Sequence, residues 1–359
     1  MTEVESERKK FVEALFDNKI HNQNKWKEIS LPTRHGGLGI NVSSLNEDSN
    51  TQYRKCEVVT EDLKRKLLNQ DYTLPTKHDL KELRKLQEKN YKTKTEELRM
   101  MESEVSQKQR MVELSSKGTN SWLHAMPISA QRRYMSKNEF QDALSLRFGM
   151  KIKGVALKCA CGDTNTIIHA NNCKVGGYVT RRHDALKNYL QQKAAIVYND
   201  TEIEPHLQVT ETQALQQRVN PQDKSRSDIR INGFNREFQN SFLDVKVINI
   251  QAKSHEKHSV AKALEQAEDE KDQKYKTRIE DVENGTFYPV VFTTKGKRSR
   301  KCSMVIRKLA SKIAIRRKQP TYLISQAIST DISFLLLRSE IACVRGNRRP
   351  RSNPNNFVL

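Results

Sequence analysis

The sequence predicts a mixed fold of the α+β or α/β class: a helical N-terminal region, a small Cys/His segment, then a mixed sheet flanked by helices. Three observations predict it. Residues 1–118 are polar and carry helical spacing. Three of the six cysteines crowd with a histidine into residues 158–177. After Thr201 the apolar period shortens from that of a helix to that of a strand.

Taken in order, Phe11, Leu15 and Phe16 predict one apolar stripe near the start. The segment Leu31-Pro32-Thr33-Arg34-His35-Gly36-Gly37-Leu38-Gly39-Ile40 reads as a glycine-permitted loop with something to bury. A long charged helix is expected from Asp79 to about Ser116. Residues 119–177 should hold a helix and then the Cys/His segment. Ser136-Lys137-Asn138-Glu139 is a capping box, Phe140, Leu144 and Phe148 give one buried face, and Gly149 stops the helix.

Residues 178–300 form the next block. A helix from Arg181 to Val197 precedes strands at Thr201–Val209, Arg226–Ile231 and Phe242–Ile250, then a helix at Val260–Asn284 and a strand at Phe287–Thr293. Helix, three strands, helix, strand is an order that suits a mixed sheet covered by helices. Residues 301–345 should be two helices, Ser303–Arg317 and Thr321–Val344. The tail, 346–359, is basic and expected to be disordered.

Composition narrows the function. Lys and Arg number 64 against 43 Asp and Glu, a formal charge of +21. Such an excess points to a polyanion, nucleic acid first. The longest apolar runs, such as Phe334 to Leu337, are too short to span a bilayer. The opening MTEVESERKK has no apolar core, so secretion is not expected, and no membrane partner is.

Cys159-x-Cys161-x7-His169-x3-Cys173 supplies three thiolates and an imidazole, the donor set of a tetrahedral structural zinc site. The first spacing is shorter than zinc fingers usually use, and two buried cysteines beside an unrelated His-Cys pair is the competing explanation.

The chemistry concentrates in the strands. Asp228 follows Arg226-Ser227, and Asp244 and Lys246 sit at i and i+2 in Phe242-Leu243-Asp244-Val245-Lys246-Val247-Ile248. They share a strand face, with Leu243, Val245 and Val247 on the other. Asp228 and Asp244 could hold Mg²⁺ (or Mn²⁺), and Lys246 could place or deprotonate a water or offset developing charge. Those are the parts of a phosphodiester hydrolase. An ion pair at a sheet edge would use the same tripeptide. Glu204 is a candidate further acid and His183 a candidate phosphate contact. The runs Lys295-Gly296-Lys297-Arg298-Ser299-Arg300-Lys301, Arg316-Arg317-Lys318 and Arg345 to Arg351, with Arg182, are candidate nucleic-acid contacts or import signals.

These features in this order resemble the C-terminal part of non-LTR retrotransposon polyproteins. There the end of a reverse transcriptase precedes a Cys-Cys-His-Cys knuckle and a restriction-like endonuclease of the PD-(D/E)XK superfamily. The Leu31-Pro32 and Gly36-Gly37-Leu38-Gly39 loop, the quartet at 159, 161, 169 and 173, and Ser227-Asp228 with Asp244-Val245-Lys246 carry the resemblance over roughly residues 30–345. It implies a metal-dependent DNA endonuclease with Asp228 and Asp244 on the metal and Lys246 catalytic. It also implies structural zinc, DNA and element RNA as partners, and nuclear residence after import. Serine stands where the family has proline before Asp228, and no aromatic-x-Asp-Asp polymerase motif occurs. The chain therefore reads as a fragment or a degraded copy of such an element. The alternative is a non-catalytic nucleic-acid-binding protein that uses only the knuckle and the basic runs.

Overall fold

The computed structural model describes residues 3–40, 77–207 and 226–346. Two compact units emerge, Met1–Glu104 and Val105–Leu359, so the chain divides at 104 and not at 118. The cause is local. The long helix expected through Ser116 is two helices, α3 (Lys77–Met101) and α4 (Val105–Leu114). Between them the Glu102 carboxylate accepts from the amides of Ser103 and Glu104, at 3.0 and 3.2 Å, and turns the chain.

In the first unit, α1 (Glu3–Phe16) and α2 (Gln23–Ser30) precede a short 3-10 turn at Thr33–His35. The expected stripe is rotated: Val12 and Phe16 are buried at i and i+4, whereas Phe11 is 65% exposed. Asn22 caps α2 by accepting from the amides of Asn24 and Lys25. The glycine loop folds back on that helix, with Leu38 N–H donating to Ile29 O at 2.7 Å. Gly37 approaches so closely that a Cβ there would lie 1.9 Å from Leu31 O, so no other residue fits without moving backbone.

The second unit is mixed α+β. It holds α4, then α5 (Lys137–Phe148), α6 (Ile167–Asn172), α7 (Tyr178–Ala195) and strands β1 (Thr201–Ile203), β2 (Ile229–Asn232) and β3 (Asn240–Ile248). Then come α8 (Val260–Asp281), β4 (Thr286–Thr293), α9 (Arg300–Arg317) and α10 (Thr321–Arg345), which makes ten α-helices among the described residues. Strand order is β1-β2-β3-β4. The first two pairings are antiparallel, and β3–β4 is parallel, crossed over by α8. The mixed sheet flanked by helices is therefore present. The first strand stops well before its expected end, because Glu204 turns at φ 52°; Val209 and the basic tail lie outside the described residues.

Side-chain alternation explains the layers. Leu243 and Val245 join Ile229, Ile231, Val290 and Phe292 on one face, under Leu186 and Leu190 of α7, Ile306 and Leu309 of α9, and Ile328 and Ile332 of α10. The other face carries Phe242, Asp244, Lys246 and Ile248. Tyr275 and Ile279 of α8 cover Phe242 and Phe287. Val260, Ala263, Leu264 and Ala267 of the same helix cover Ile248 and Val291. Serine caps mark the helix starts: Ser136, Ser259 and Ser299 each accept the amide three residues on. The Ser299 cap starts α9 three residues earlier than periodicity alone placed it.

Beside this sheet lies a buried ionic cluster. Lys295 Nζ reaches both Glu340 oxygens, at 2.7 and 2.8 Å, and Leu146 O at 3.1 Å. The Lys295 amide donates to Glu113, whose carboxyl is pushed up to about 7, by burial first. A folded-state pKa above the ordinary 4.5 means that stability present in acid is lost as pH rises through about 7. Glu113→Gln should remove that loss, on the order of 3 kcal/mol at most. Denaturant melts of both proteins at pH 5 and pH 8 measure it. Wild type should lose more stability than the variant between the two pH values, and equal losses would refute the assignment.

Candidate functional site

The antiparallel ladder of β2 and β3 ends at Ile229 and Leu243, and the two strands then part. Asp228 bridges the parting. Its amide donates to Leu243 O at 3.2 Å, and Ser227 Oγ donates to the same carbonyl at 3.0 Å. Its carboxylate then takes the place of the missing strand: Val245 N–H donates to Asp228 Oδ2 at 2.6 Å. His183 of α7 completes the arrangement, with Nε2 3.1 Å from both Asp228 Oδ2 and Val245 O. Its Nδ1 lies 3.2 Å from Asp184 Oδ1. The Asp228 hydrogen bond raises the His183 pKa to about 9, so the ring is cationic at neutral pH and both nitrogens donate.

Asp244 is 3% exposed. Burial raises its carboxyl, the nearby Asp228 charge raises it further, and Lys271 of α8, 2.6 Å away, opposes both. Asp228 and Asp244 thus feel each other electrostatically. Lys246 emerges on the same strand face, but its ammonium is taken by Glu270 of α8 and by neither aspartate. An open cleft of about 450 Å³ lies over this point, lined by His183, Lys246, Glu270, Lys271 and Lys274 among others.

Glu204 belongs to the neighbourhood. Its amide donates to Asp228 O at 2.9 Å. Lys187 of α7 holds its carboxylate below the usual range, and Arg226 stands 3.4 Å away. Charge of both signs alternates around the parting strands, and the aspartates are two carboxylates that already have protein partners.

Sequence reading missed Glu270 and Lys271. A signal for Lys271 existed: the inward stripe of α8 runs Leu264, Ala267, position 271, Tyr275, so a lysine stands where an apolar residue is expected. Its reason is Asp244 opposite.

The expected nucleic-acid contacts separate. Lys295 is buried and committed to Glu340, and Arg182, 2% exposed, borders the cleft but donates to Asn171 Oδ1 and O at 3.1 and 3.2 Å, so in this structure both cations already have protein partners. Arg298 donates to Ser329 Oγ at 2.8 Å, and Lys301 pairs with Asp272. Lys297 is half-buried, and Arg300 is exposed. The run after β4 is mainly the turn into α9: Thr293 N–H donates to Lys297 O at 2.8 Å.

The Cys/His segment closes on itself. Cys159 and Cys161 flank a tight turn that pairs Lys158 with Thr164, and Thr166 caps α6, which delivers His169 and, just after its end, Cys173. One donor atom from each of Cys159, Cys161, His169 and Cys173 lies within 4.8 Å of the others. Cys159 Sγ and Cys173 Sγ are 3.8 Å apart. Zinc–sulfur bonds of about 2.3 Å at tetrahedral angles require about that separation. His169 Nε2 is 3.2 Å from Cys161 Sγ, leaving Nδ1 3.5 Å from the Asp163 carboxylate, the outer partner that fixes a ligating imidazole. Burial works against the Cys159 thiolate, yet hydrogen bonds from the Cys161 amide and His169 bring the thiol down to about 6. The quartet can hold a metal ion and fits zinc.

No protein-family model matches the chain, and no curated protein matches it. Among the described residues no helix is long and apolar enough to cross a membrane.

Proposed function

We propose that the second unit is a metal-dependent DNA endonuclease of the restriction-like PD-(D/E)XK kind, carried by a retroelement-derived chain that acts in the nucleus on DNA and also meets element RNA. The quartet of Cys159, Cys161, His169 and Cys173 is its structural zinc knuckle. One observation carries the reading: where β2 and β3 part, the Asp228 carboxylate replaces a strand near the buried Asp244, and the side chains that pair with the two acids, His183 and Lys271, line an open cleft with Lys246. Asp244 is buried and Asp228 half-buried, and a shared cation would offset the repulsion between them beyond what Lys271 and His183 supply.

Asp228 and Asp244 would hold Mg²⁺ or Mn²⁺, which when bound acidifies a water and offsets charge on the transferring phosphoryl group. The remaining roles belong to the chain. His183 fixes the Asp228 carboxylate through Nε2. Lys271 favours the ionised form of Asp244. Lys246, once released by Glu270, can place a water or neutralise the developing oxyanion. Glu204 stands behind Asp228, held by Lys187.

A second reading has its own observation. Lys271 on Asp244 and Lys246 on Glu270 balance the acids without any metal, as a non-catalytic nucleic-acid-binding protein would need. Nicking of supercoiled plasmid with Mg²⁺ or Mn²⁺, and with EDTA, separates the two. The nuclease converts supercoiled to open-circle DNA only with the metal; the binding protein retards DNA and never cuts it.

A further inference from the structure

Helix α9 is amphipathic in an unusual way. Its inward stripe, Cys302, Val305, Ile306, Leu309, Ala310, Ile313 and Ala314, is wholly buried in the main core. Its solvent-facing side carries Lys308 between Met304 and Ile315, with Arg307 on one flank and Lys312 and Arg316 on the other, and its sequence RKCSMVIRKLASKIAIRR contains no acid at all. Arg307, Lys312, Arg316 and Arg317 are exposed, and none of them pairs with a described carboxylate. Lys308 is held below its ordinary range by burial and by Lys312, so like charges stand unrelieved along this face. Uncompensated charge in a row costs stability, and a polyanion repays it.

Beside this face lies the turn between β2 and β3. Lys308 Nζ stands 4.7 Å over the Phe234 ring and 3.4 Å from Asn235 Oδ1. The same turn presents Phe238, which is 92% exposed at φ 60°. A bulky side chain in the left-handed region is strained, and this one gains no burial in return. An aromatic face held in solvent, in the turn whose Phe234 and Asn235 meet Lys308, is a group that can stack a base while cations bind the backbone. At its N-terminus α9 touches α8, the helix that supplies Glu270 and Lys271 to the candidate site. Lys301 N–H donates to Glu268 at 2.8 Å and its ammonium pairs with Asp272, and both acids sit on α8 beside Glu270 and Lys271.

We propose that the outer face of α9 is a nucleic-acid docking surface, its cations tracking the phosphates of a DNA duplex and Phe238 stacking on an unpaired base beside it. The partner deepens the endonuclease reading, on which it rests for the identity of the DNA. Eighteen residues of helix reach about 27 Å, a span of roughly eight base pairs. An acidic membrane is the competing partner and fits less well. Interfacial helices insert their apolar face, and here that face is spent on the core, leaving Met304 and Ile315 outside.

The test is fluorescence anisotropy of the full chain with a labelled duplex bearing a single-stranded end, titrated with salt. The variant is R307Q/K312Q/R316Q, all exposed positions, with its folding checked by circular dichroism and its melting point. It should bind on the order of 10²-fold more weakly near 0.1 M salt, with a salt slope shallower by about 2–3 units. The charge-keeping R307K/R316K variant should keep the wild-type slope. Phe238→Ala should weaken the single-stranded-end probe roughly tenfold and leave a blunt duplex unaffected. Wild-type affinity and slope in the triple variant would overturn the proposal. So would binding of wild type to phosphatidylserine vesicles but not to DNA. Nicking on the same proteins keeps the two readings apart. A wild type that never nicks, with a triple variant that loses binding, leaves the surface standing and removes the nuclease; a wild type that nicks, with a triple variant that binds as well as wild type, does the converse.

Discussion

Asp244→Ala is expected to reduce Mg²⁺-dependent nicking to background, a loss on the order of 10³-fold or more, while DNA affinity stays equal or rises slightly. The two effects separate because the residue acts on different steps. As a buried carboxylate beside Asp228, Asp244 would be a ligand for the catalytic cation, and a metal contributes several kcal/mol to a phosphoryl transition state. Each 1.4 kcal/mol is about tenfold in rate. In binding, by contrast, the side chain is one negative charge near the phosphates, and removing it relieves repulsion. Asp244→Asn tests the same point with less disturbance, since it keeps the shape beneath Lys271. If either variant nicks as fast as wild type, the activity belongs to another site or another protein. If wild type binds DNA but leaves plasmid intact with both Mg²⁺ and Mn²⁺, the Lys271–Asp244 pair is the resting state of a binding protein.

The two candidate sites were legible in the sequence for one reason: each sets charged or soft side chains where apolar ones are expected. Asp244 and Lys246 interrupt a run of Phe, Leu, Val and Ile, and three cysteines crowd one short segment. The mixed sheet was legible from the order of periods. What stayed hidden depends on partners distant in the chain. Lys295 reads as part of a basic run, yet Glu340 on α10 draws it inside. Arg182 reads as a surface cation on a helix, yet Asn171 on α6 takes both ends of its guanidinium. Lys271 and Glu270 vanish in the highly charged α8 unless its inward stripe is traced first. The break at 102–104 was hidden because Glu102 is an ordinary helix former; only its side chain's turn onto two amides ends α3.

Metal removal from the quartet is the second large effect. Purified, reduced protein should contain about one zinc per chain. Cys161→Ser or Cys173→Ser, or strong chelation, should lose it, and the segment 158–177 should unfold. That segment is short, Cys161 is exposed, and few apolar side chains are buried with the four donors, so a bound metal would supply much of what holds them together. Structural zinc supplies about 10–16 kcal/mol in small modules of this type. The loss should not stay local. Helix α6 carries His169 and also Asn171, which donates to Glu340 at 3.0 Å and accepts from Arg182 at 3.1 Å. When α6 melts, Glu340 and Arg182 lose a buried partner each, at roughly 1–3 kcal/mol for each unsatisfied group. The melting temperature of the whole second unit should therefore fall. Hydrogen exchange should show new opening in α7 near Arg182 and in α10 near Glu340 as well as in 158–177. Elemental analysis that finds no zinc in reduced wild type would remove the metal assignment. Zinc loss with unchanged exchange in α7 and α10 would leave the metal but refute its coupling to the core.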